Sequence, residues 1–323
     1  MLGYAGRRVL TALPLLLSVL TLVFLLVQLA PGDPFSLEPG AGVSRDSAGS
    51  LRHALRADRP LPLRYFDWVS GFLTGDLGVS YSYRRPVAGL VQEATANTLA
   101  LAGIAIVLQF LLGSAAGVAA AASRSRGLHR IFSFGAGLVY SVPSYWLGLV
   151  MVWLFSVRLG WLPVSQMHST DAAAMGTWSR LLDSVRHLIL PCLSLTLPAA
   201  AGIALYVEEE MRAVLARTPI RMARARGLSE KEVLLKHALG GALLPVVNLL
   251  GLALPGLVGG SAVLEVLYAW PGMGRLVYQA VLARDEPLIL GCTWIGTLVV
   301  VAGSLLGDLL SAWVNPPLRE SLT

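Results

Sequence analysis

Groups able to do chemistry are scarce in this sequence, and the charged ones gather in one neighbourhood. Glu208-Glu209-Glu210 is followed by Arg212, and the basic run RTPIRMARARGLSEKEVLLKHALGGALLPVV then extends from Arg217 to Val247. Three adjacent carboxylates admit two readings: Glu208 pairs with Arg212 at i,i+4 on a continuing helix, or the glutamates form a charged ring at the inner mouth of a pathway. Arg221, Arg224 and Arg226 offer charge for complementary acids on a partner, and Ala223 and Ala225 are small enough to let that partner approach the backbone. None of this makes or breaks bonds. The only lysines, Lys231 and Lys236, do not follow glycine, so the chain has no Gly-Lys-Ser/Thr and no P-loop. G-x-S-x-G and H-E-x-x-H are also missing, and the five histidines are scattered. His168 and His187 share one loop without further ligands, so neither a hydrolase nor a metal centre is expected.

The elements that must hold these groups are apolar. Of 323 residues 55% are hydrophobic and 14% charged, and mean hydropathy is +0.67. A soluble domain carries roughly a quarter charged residues, so the composition is that of a polytopic membrane protein. Cys192 and Cys292 lie in apolar runs and read as small buried hydrophobes. The pI of 9.6 reflects arginines between apolar runs, which suits membrane orientation and not nucleic acid. Six spans are expected: 9–29, 98–122, 131–157 (with Pro143), 188–207 (with Pro191 and Pro198), 242–264 and 287–314. The first is too long for a signal-peptide core and is expected to be retained. Arginines concentrate in the segments that are internal if the N-terminus is inside, including Arg7, Arg8, Arg124, Arg126, Arg130 and Arg319. Both termini are therefore expected in the cytoplasm.

Between the first two spans, Leu63, Phe66, Val69, Phe72 and Leu73 recur at helical spacing. They suggest either a helix lying at the membrane interface or the core of a small outer lobe. Gly113/Gly117, Gly256/Gly260 and Gly303/Gly307 are G-x-x-x-G pairs that permit close helix contact. The polar residues within spans are Gln109, Asn248, Glu265 and Asp308. The last two sit near span ends, where solvation at the interface is expected.

The basic run carries unusually complete local signals. Thr218-Pro219 reads as an N-cap with proline at the first helical position. Gly227 is placed to end that helix in the left-handed conformation. Ser229 and Glu232 form an S-x-x-E capping box, with Leu228 able to staple onto Val233. The expectation is two short helices joined by a glycine bend at the membrane surface.

Several stretches, in order, resemble the dipeptide/oligopeptide permease family of ABC importers, over nearly the whole chain. They are Leu29-Ala-Pro-Gly-Asp-Pro34, Asp58-Arg-Pro-Leu-Pro62, Leu73-Thr-Gly-Asp-Leu-Gly78, Ser141-Val-Pro-Ser144, Leu159-Gly-Trp-Leu-Pro163, Ala223-Arg-Ala-Arg-Gly227, His237-Ala-Leu239 and Trp270-Pro-Gly-Met-Gly274. The resemblance is to the first of two paired permease subunits. It implies an all-α integral membrane protein of the type I permease fold, with six transmembrane helices and cytoplasmic coupling helices. The implied organisation is a first span in 1–30, an extracytoplasmic segment 31–97, a permease core 98–314 containing a coupling loop 212–241, and a cytoplasmic tail 315–323.

The coupling loop is similar to the family's EAA loop, with Arg221 where the generic pattern has glutamate and Leu-Pro displaced to Leu244-Pro245. Arg221, Ala223, Arg224, Ala225, Arg226, Gly227, Leu228, Ser229 and Glu232 are the implied ATPase-coupling residues. Glu208, Glu209 and Glu210 are the candidate inner gate, and Trp270, Pro271 and Gly272 the candidate outer-loop contacts. Implied partners are a second homologous permease, two ABC ATPases, an extracytoplasmic solute-binding protein and the lipid bilayer of the inner membrane. No cofactor is expected in this chain, ATP and Mg being bound by the ATPases. The same architecture importing nickel chelates, glutathione, haem or oligosaccharides is the near alternative; an ion-coupled carrier or channel is the distant one.

Overall fold

The structure, a computed structural model, describes residues 2–29, 59–123, 125–257 and 259–314. The Pro31–Pro34 stretch, the rest of the expected outer segment to residue 58, and the tail 315–323 with Arg319 lie outside these residues. Every described element is helical apart from an isolated bridge between Val79 and Pro86.

Helix α1 (Leu2–Leu29) buries Leu16, Leu20 and Phe24, one row at four-residue spacing, and leaves Leu22, Leu25, Leu26 and Leu29 exposed. That division is what a helix with one protein face and one lipid face requires. Helix α2 (Leu61–Thr74) confirms the helical spacing of its apolar residues. Phe72 is buried and stacks edge-on against Trp68 at 4.6 Å between centroids, while Leu63, Phe66 and Leu73 are exposed. Anchoring is therefore by one face only, against α1 and the last helix, where Phe24 and Leu290 complete the cluster.

The centre of the fold is the pair α3 (Val87–Ala122) and α6 (Thr177–Leu215). Both begin well before the apolar runs expected at 98 and 188, so the expected boundary at 97/98 falls inside α3. The extra turns of α3 are held by Val87, Leu90, Val91 and Ala94, which pack against Met273, Leu276, Ala280, Leu288 and Cys292. Gly113 and Gly117 lie against the backbone of Ala200 and Ala204: a Cβ on Gly113 would sit 2.7 Å from the Ala200 carbonyl oxygen. Small residues thus let α3 and α6 pack backbone to backbone. Gly303 and Gly307 likewise lie against the backbone of Leu254 and Gly251, whereas a Cβ on Gly256 or Gly260 would meet no second helix.

The expected third span is not one rod. Helix α4 (Arg126–Ser141) and the following Ser144–Arg158 segment, made of α5 (Ser144–Met151) and a π-helical Val152–Arg158, meet at 93°. Pro143 forces Val142 into the extended region (ψ 123°), which ends α4. The expected fifth span is also interrupted. Helix α9 (Leu239–Ala253) passes into a 3₁₀ turn, Leu254–Leu257, and resumes as α10 (Ala262–Leu267) after Gly259-Gly260. Helices α11 (Met273–Leu282) and α12 (Glu286–Val314) complete the order. Among the described residues three unbroken helices are long and apolar enough to cross a membrane: Val87–Ala122, Thr177–Leu215 and Glu286–Ser311.

Candidate functional site

The basic run folds as its local signals require, with one change at its start. Helix α7 (Thr218–Ala225) is capped by Arg217, with no side-chain cap bond, so Thr218 is the first helical residue and not the N-cap. At the other end Gly227 has φ +83°, and two bonds close the turn: Gly227 N–H to the Arg224 carbonyl at 3.0 Å and Leu228 N–H to the Ala223 carbonyl at 3.4 Å. This is a Schellman closure, which needs the left-handed residue that glycine supplies. Ser229 then caps α8 (Glu230–Glu232) in a reciprocal capping box with Glu232. Its hydrogen bonds from Ser229 hold the Glu232 carboxyl below its ordinary value, with Lys236 adding to the effect. Beyond Glu232 the chain continues through a π-helical Val233–Ala238 into α9, so the second arm of the knob is the start of a long helix.

The underside of this knob is anchored. Ile220, Ala223, Val233 and Ala238 are buried with Val207, Met211 and Val214 of α6. Ala223 therefore faces its own subunit, which corrects the expectation that it lets a partner approach. Ala225, Arg221, Arg226, Gly227, Leu228 and Ser229 are exposed, as is Met222, an apolar residue that the sequence did not single out. Arg224 is exposed too, but its guanidinium makes a two-pronged contact with Glu230 at 3.0 and 3.3 Å, spanning the bend. It is a brace between the two arms and not a free charge. Among the described residues Arg221 donates to Thr218 Oγ1 alone, at 3.4 Å.

The three glutamates before the knob point in different directions. Glu208 is buried, Glu210 half-buried and Glu209 exposed, so this chain does not present them together as a ring. Arg212 does approach Glu208, at 3.8 Å. The carboxylate's closer partners lie across on α4: His129 Nδ1, in direct contact, and Ser133 Oγ, donating at 3.3 Å. The signal was in the sequence, because Ala200, Ile203, Ala204, Val207, Glu208, Met211 and Val214 form one helical stripe. Its partner on α4 was not legible.

At the opposite end of the bundle, Trp270 is buried, and its indole N–H donates to the Asn97 carbonyl at 3.0 Å. Gly272 is buried as well, which leaves Pro271 alone of the three expected outer-loop contacts on the surface. What organises this turn is Glu265, fully buried and not solvated at an interface as its position near a span end suggested. Its carboxylate accepts from Thr98 Oγ1 at 2.8 Å, Ser261 Oγ at 2.7 Å, Gly274 N–H at 2.7 Å and Arg275 N–H at 3.2 Å. An anion thereby caps the N-terminus of α11 and ties it to α3 and α10. Asp285 does similar work one turn on, accepting from Ser80 Oγ and Ser82 Oγ, each at 2.6 Å, and from Ser82 N–H at 2.9 Å. The 159–176 loop is tied to the first turns of α6 by Asp183, whose carboxyl group accepts from Ser169 Oγ at 2.6 Å and from Ser169 N–H at 2.9 Å.

Between the two ends lies a cavity of about 340 Å³, bordered by α3, α5, α6 and the broken segment after α9. Gln109 and Ser144 are the polar side chains lining it besides Ser261.

Comparison with known proteins places this architecture. The family described as binding-protein-dependent transport system inner membrane component matches residues 91–320, and its N-terminal companion matches 1–102. The oligopeptide transport system permease protein AppB of Bacillus subtilis is 33% identical over 317 residues, covering 98% of this chain and 99% of the relative. The glutathione transport system permease protein GsiC of Salmonella typhimurium is 37% identical over 319 residues, covering 99% of each. Among solved structures, an inward-facing MetNI methionine ABC transporter aligns with a TM-score of 0.54 at 22% identity, covering 70% of this chain and 96% of the other. The fold is thus that of a type I ABC importer permease. With the family matched over residues 91–320 and an end-to-end relative at 33% identity, this chain belongs to the inner membrane components of binding-protein-dependent transport systems.

Proposed function

We propose that this chain is one of two permease subunits of an ATP-driven importer of di- or oligopeptides. The α7–α8 knob lies in the cytoplasm and docks on an ABC ATPase, while the 79–86 and 268–285 turns face a solute-binding protein outside. The observation that carries the reading is the construction of the knob. Its underside is packed into α6 and α9, its bend is closed by Gly227, and the Arg224–Glu230 pair braces its arms. A connector needs no such rigidity; an element that transmits force does. ATP and Mg are held by the ATPases, and this subunit supplies the path. Peptide cargo is supported by the relatives named for oligopeptide and glutathione transport.

The test is uptake into proteoliposomes by the full complex of both permeases, ATPases and binding protein. Labelled dipeptide is expected to enter only with ATP, and glutathione competes if the cargo class is broader. Entry of neither peptide refutes the cargo. Orientation is read separately. In a background of Cys192→Ser and Cys292→Ser, an impermeant thiol reagent added to intact cells should label Thr177→Cys and spare Ser229→Cys; the reverse pattern refutes the topology.

A further inference from the structure

Two helix breaks and one proline border the same cavity. Pro143 ends α4 and leaves Ser144 at the start of α5. The 3₁₀ turn Leu254–Leu257 and Gly259-Gly260 interrupt the helix after α9. Pro198, halfway along α6, has no N–H to give to the Ser194 carbonyl. Backbone without helical bonding is tolerated at membrane depth only where protein buries it or where it lines a watery cavity. Here the three irregularities border one space, the cavity of about 340 Å³ that also receives Gln109 from the middle of α3. No lining residue is charged. Among the described residues, neither Gln109 nor Ser144 has a side-chain hydrogen-bond partner. An amide and a hydroxyl left open on an uncharged lining are a recognition surface for neutral hydrogen-bonding groups.

We propose that this cavity is a mid-depth station on the transport path, which holds the main-chain amides of a passing peptide and does not read side-chain charge. The proposal rests on the peptide-import reading above and adds to it the chemistry of selection. Uncharged lining avoids the cost of an unpaired charge when a peptide of the wrong sign arrives, and small residues at Ala102, Ala105 and Ala199 leave room for varied side chains.

The test uses the assembled transporter carrying Cys192→Ser and Cys292→Ser. Ala199→Cys is expected to react with a small water-borne thiol reagent. Dipeptide at roughly ten times its dissociation constant should slow that reaction about tenfold. No reaction in either the nucleotide-free or the ATP-bound state, or a rate indifferent to dipeptide, overturns the proposal. As a second measurement, Gln109→Glu places a fixed charge in the cavity. Competition between dipeptides with cationic and anionic side chains should then shift roughly tenfold towards the cationic one, against no preference in the wild type. An unchanged competition ratio overturns the proposal. A wild-type transporter that takes up no dipeptide refutes the peptide reading itself. One that does, with Ala199→Cys unreactive or unprotected, refutes only the cavity.

Discussion

Replacing Gly227 separately by valine and by asparagine isolates the bend of the knob from everything around it. A Cβ built on Gly227 meets no atom within 4 Å, so neither substitution clashes with a neighbour. What remains is the backbone: at φ +83° an L-residue costs roughly 1–2 kcal/mol, with β-branched valine at the upper end and asparagine the most tolerant. That is small beside the packing of α3 on α6, so both variants should reach the membrane at near-normal abundance. With the underside packed and only the bend itself exposed, the undocked knob relieves that strain by shifting the bend residues 224–229. Docking on the ATPase must then restore the original angle, and the strain reappears as lost affinity, about 5- to 30-fold for valine and several-fold less for asparagine. The assay is ATPase retention on the purified permease pair, with dipeptide uptake alongside. Wild-type retention and uptake in Gly227→Val, or a loss in asparagine equal to that in valine, would refute the reasoning that the bend angle transmits coupling.

Three further outcomes follow from the same geometry. Glu265→Ala leaves two hydroxyls and two N–H groups without their acceptor, at about 1 kcal/mol each. A large fall in membrane abundance and in the detergent melting temperature is expected, with Glu265→Gln milder; an unchanged melting temperature contradicts the hub. Glu208→Leu removes the carboxylate that His129 and Ser133 contact, a loss of about 2 kcal/mol, whereas Glu209→Leu should be near neutral; equal melting temperatures would show that α4 is not tied to α6 there. The Glu232 carboxyl is depressed below its ordinary 4.5 chiefly by the Ser229 hydroxyl. A depressed acid contributes stability above its unfolded value and loses it as pH falls through the folded one. Docking that depends on this cap should persist as pH falls below 4.5, and Ser229→Ala should lose it at a higher pH than the wild type in parallel pull-down series; coincident pH profiles would dismiss the cap.

The basic loop was legible because its determinants are local. A glycine at a helix end, an S-x-x-E box and a proline in a first turn act within a few residues of themselves, and each is found where its spacing put it, give or take the shift of the cap from Thr218 to Arg217. Apolar runs likewise announced membrane helices, because lipid demands that backbone polar groups be satisfied within each segment. Length was less legible: α3 and α6 outrun their apolar runs because helices outside the hydrocarbon need packing partners and not hydrophobicity.

Other features depended on groups far apart in sequence. Pro143 was visible, but not whether the chain would kink or turn through 93°; the second half of that turn is decided by Tyr268, whose hydroxyl bonds both Ser194 and the Gly148 carbonyl. Glu265 read as a residue near water, and Trp270 as one for a partner, because hydropathy registers the neighbours along the chain and not Thr98 and Asn97 across it. Ala223 read as an outward contact because a helix of eight residues does not by itself tell which face is buried. By itself the sequence determined the membrane class, the helical stretches and the bent knob, all set by interactions within a few residues or with solvent. Only the tertiary structure decided which carboxylates are buried, which helices break inward and which face of the knob remains open, because each of those depends on what packs opposite.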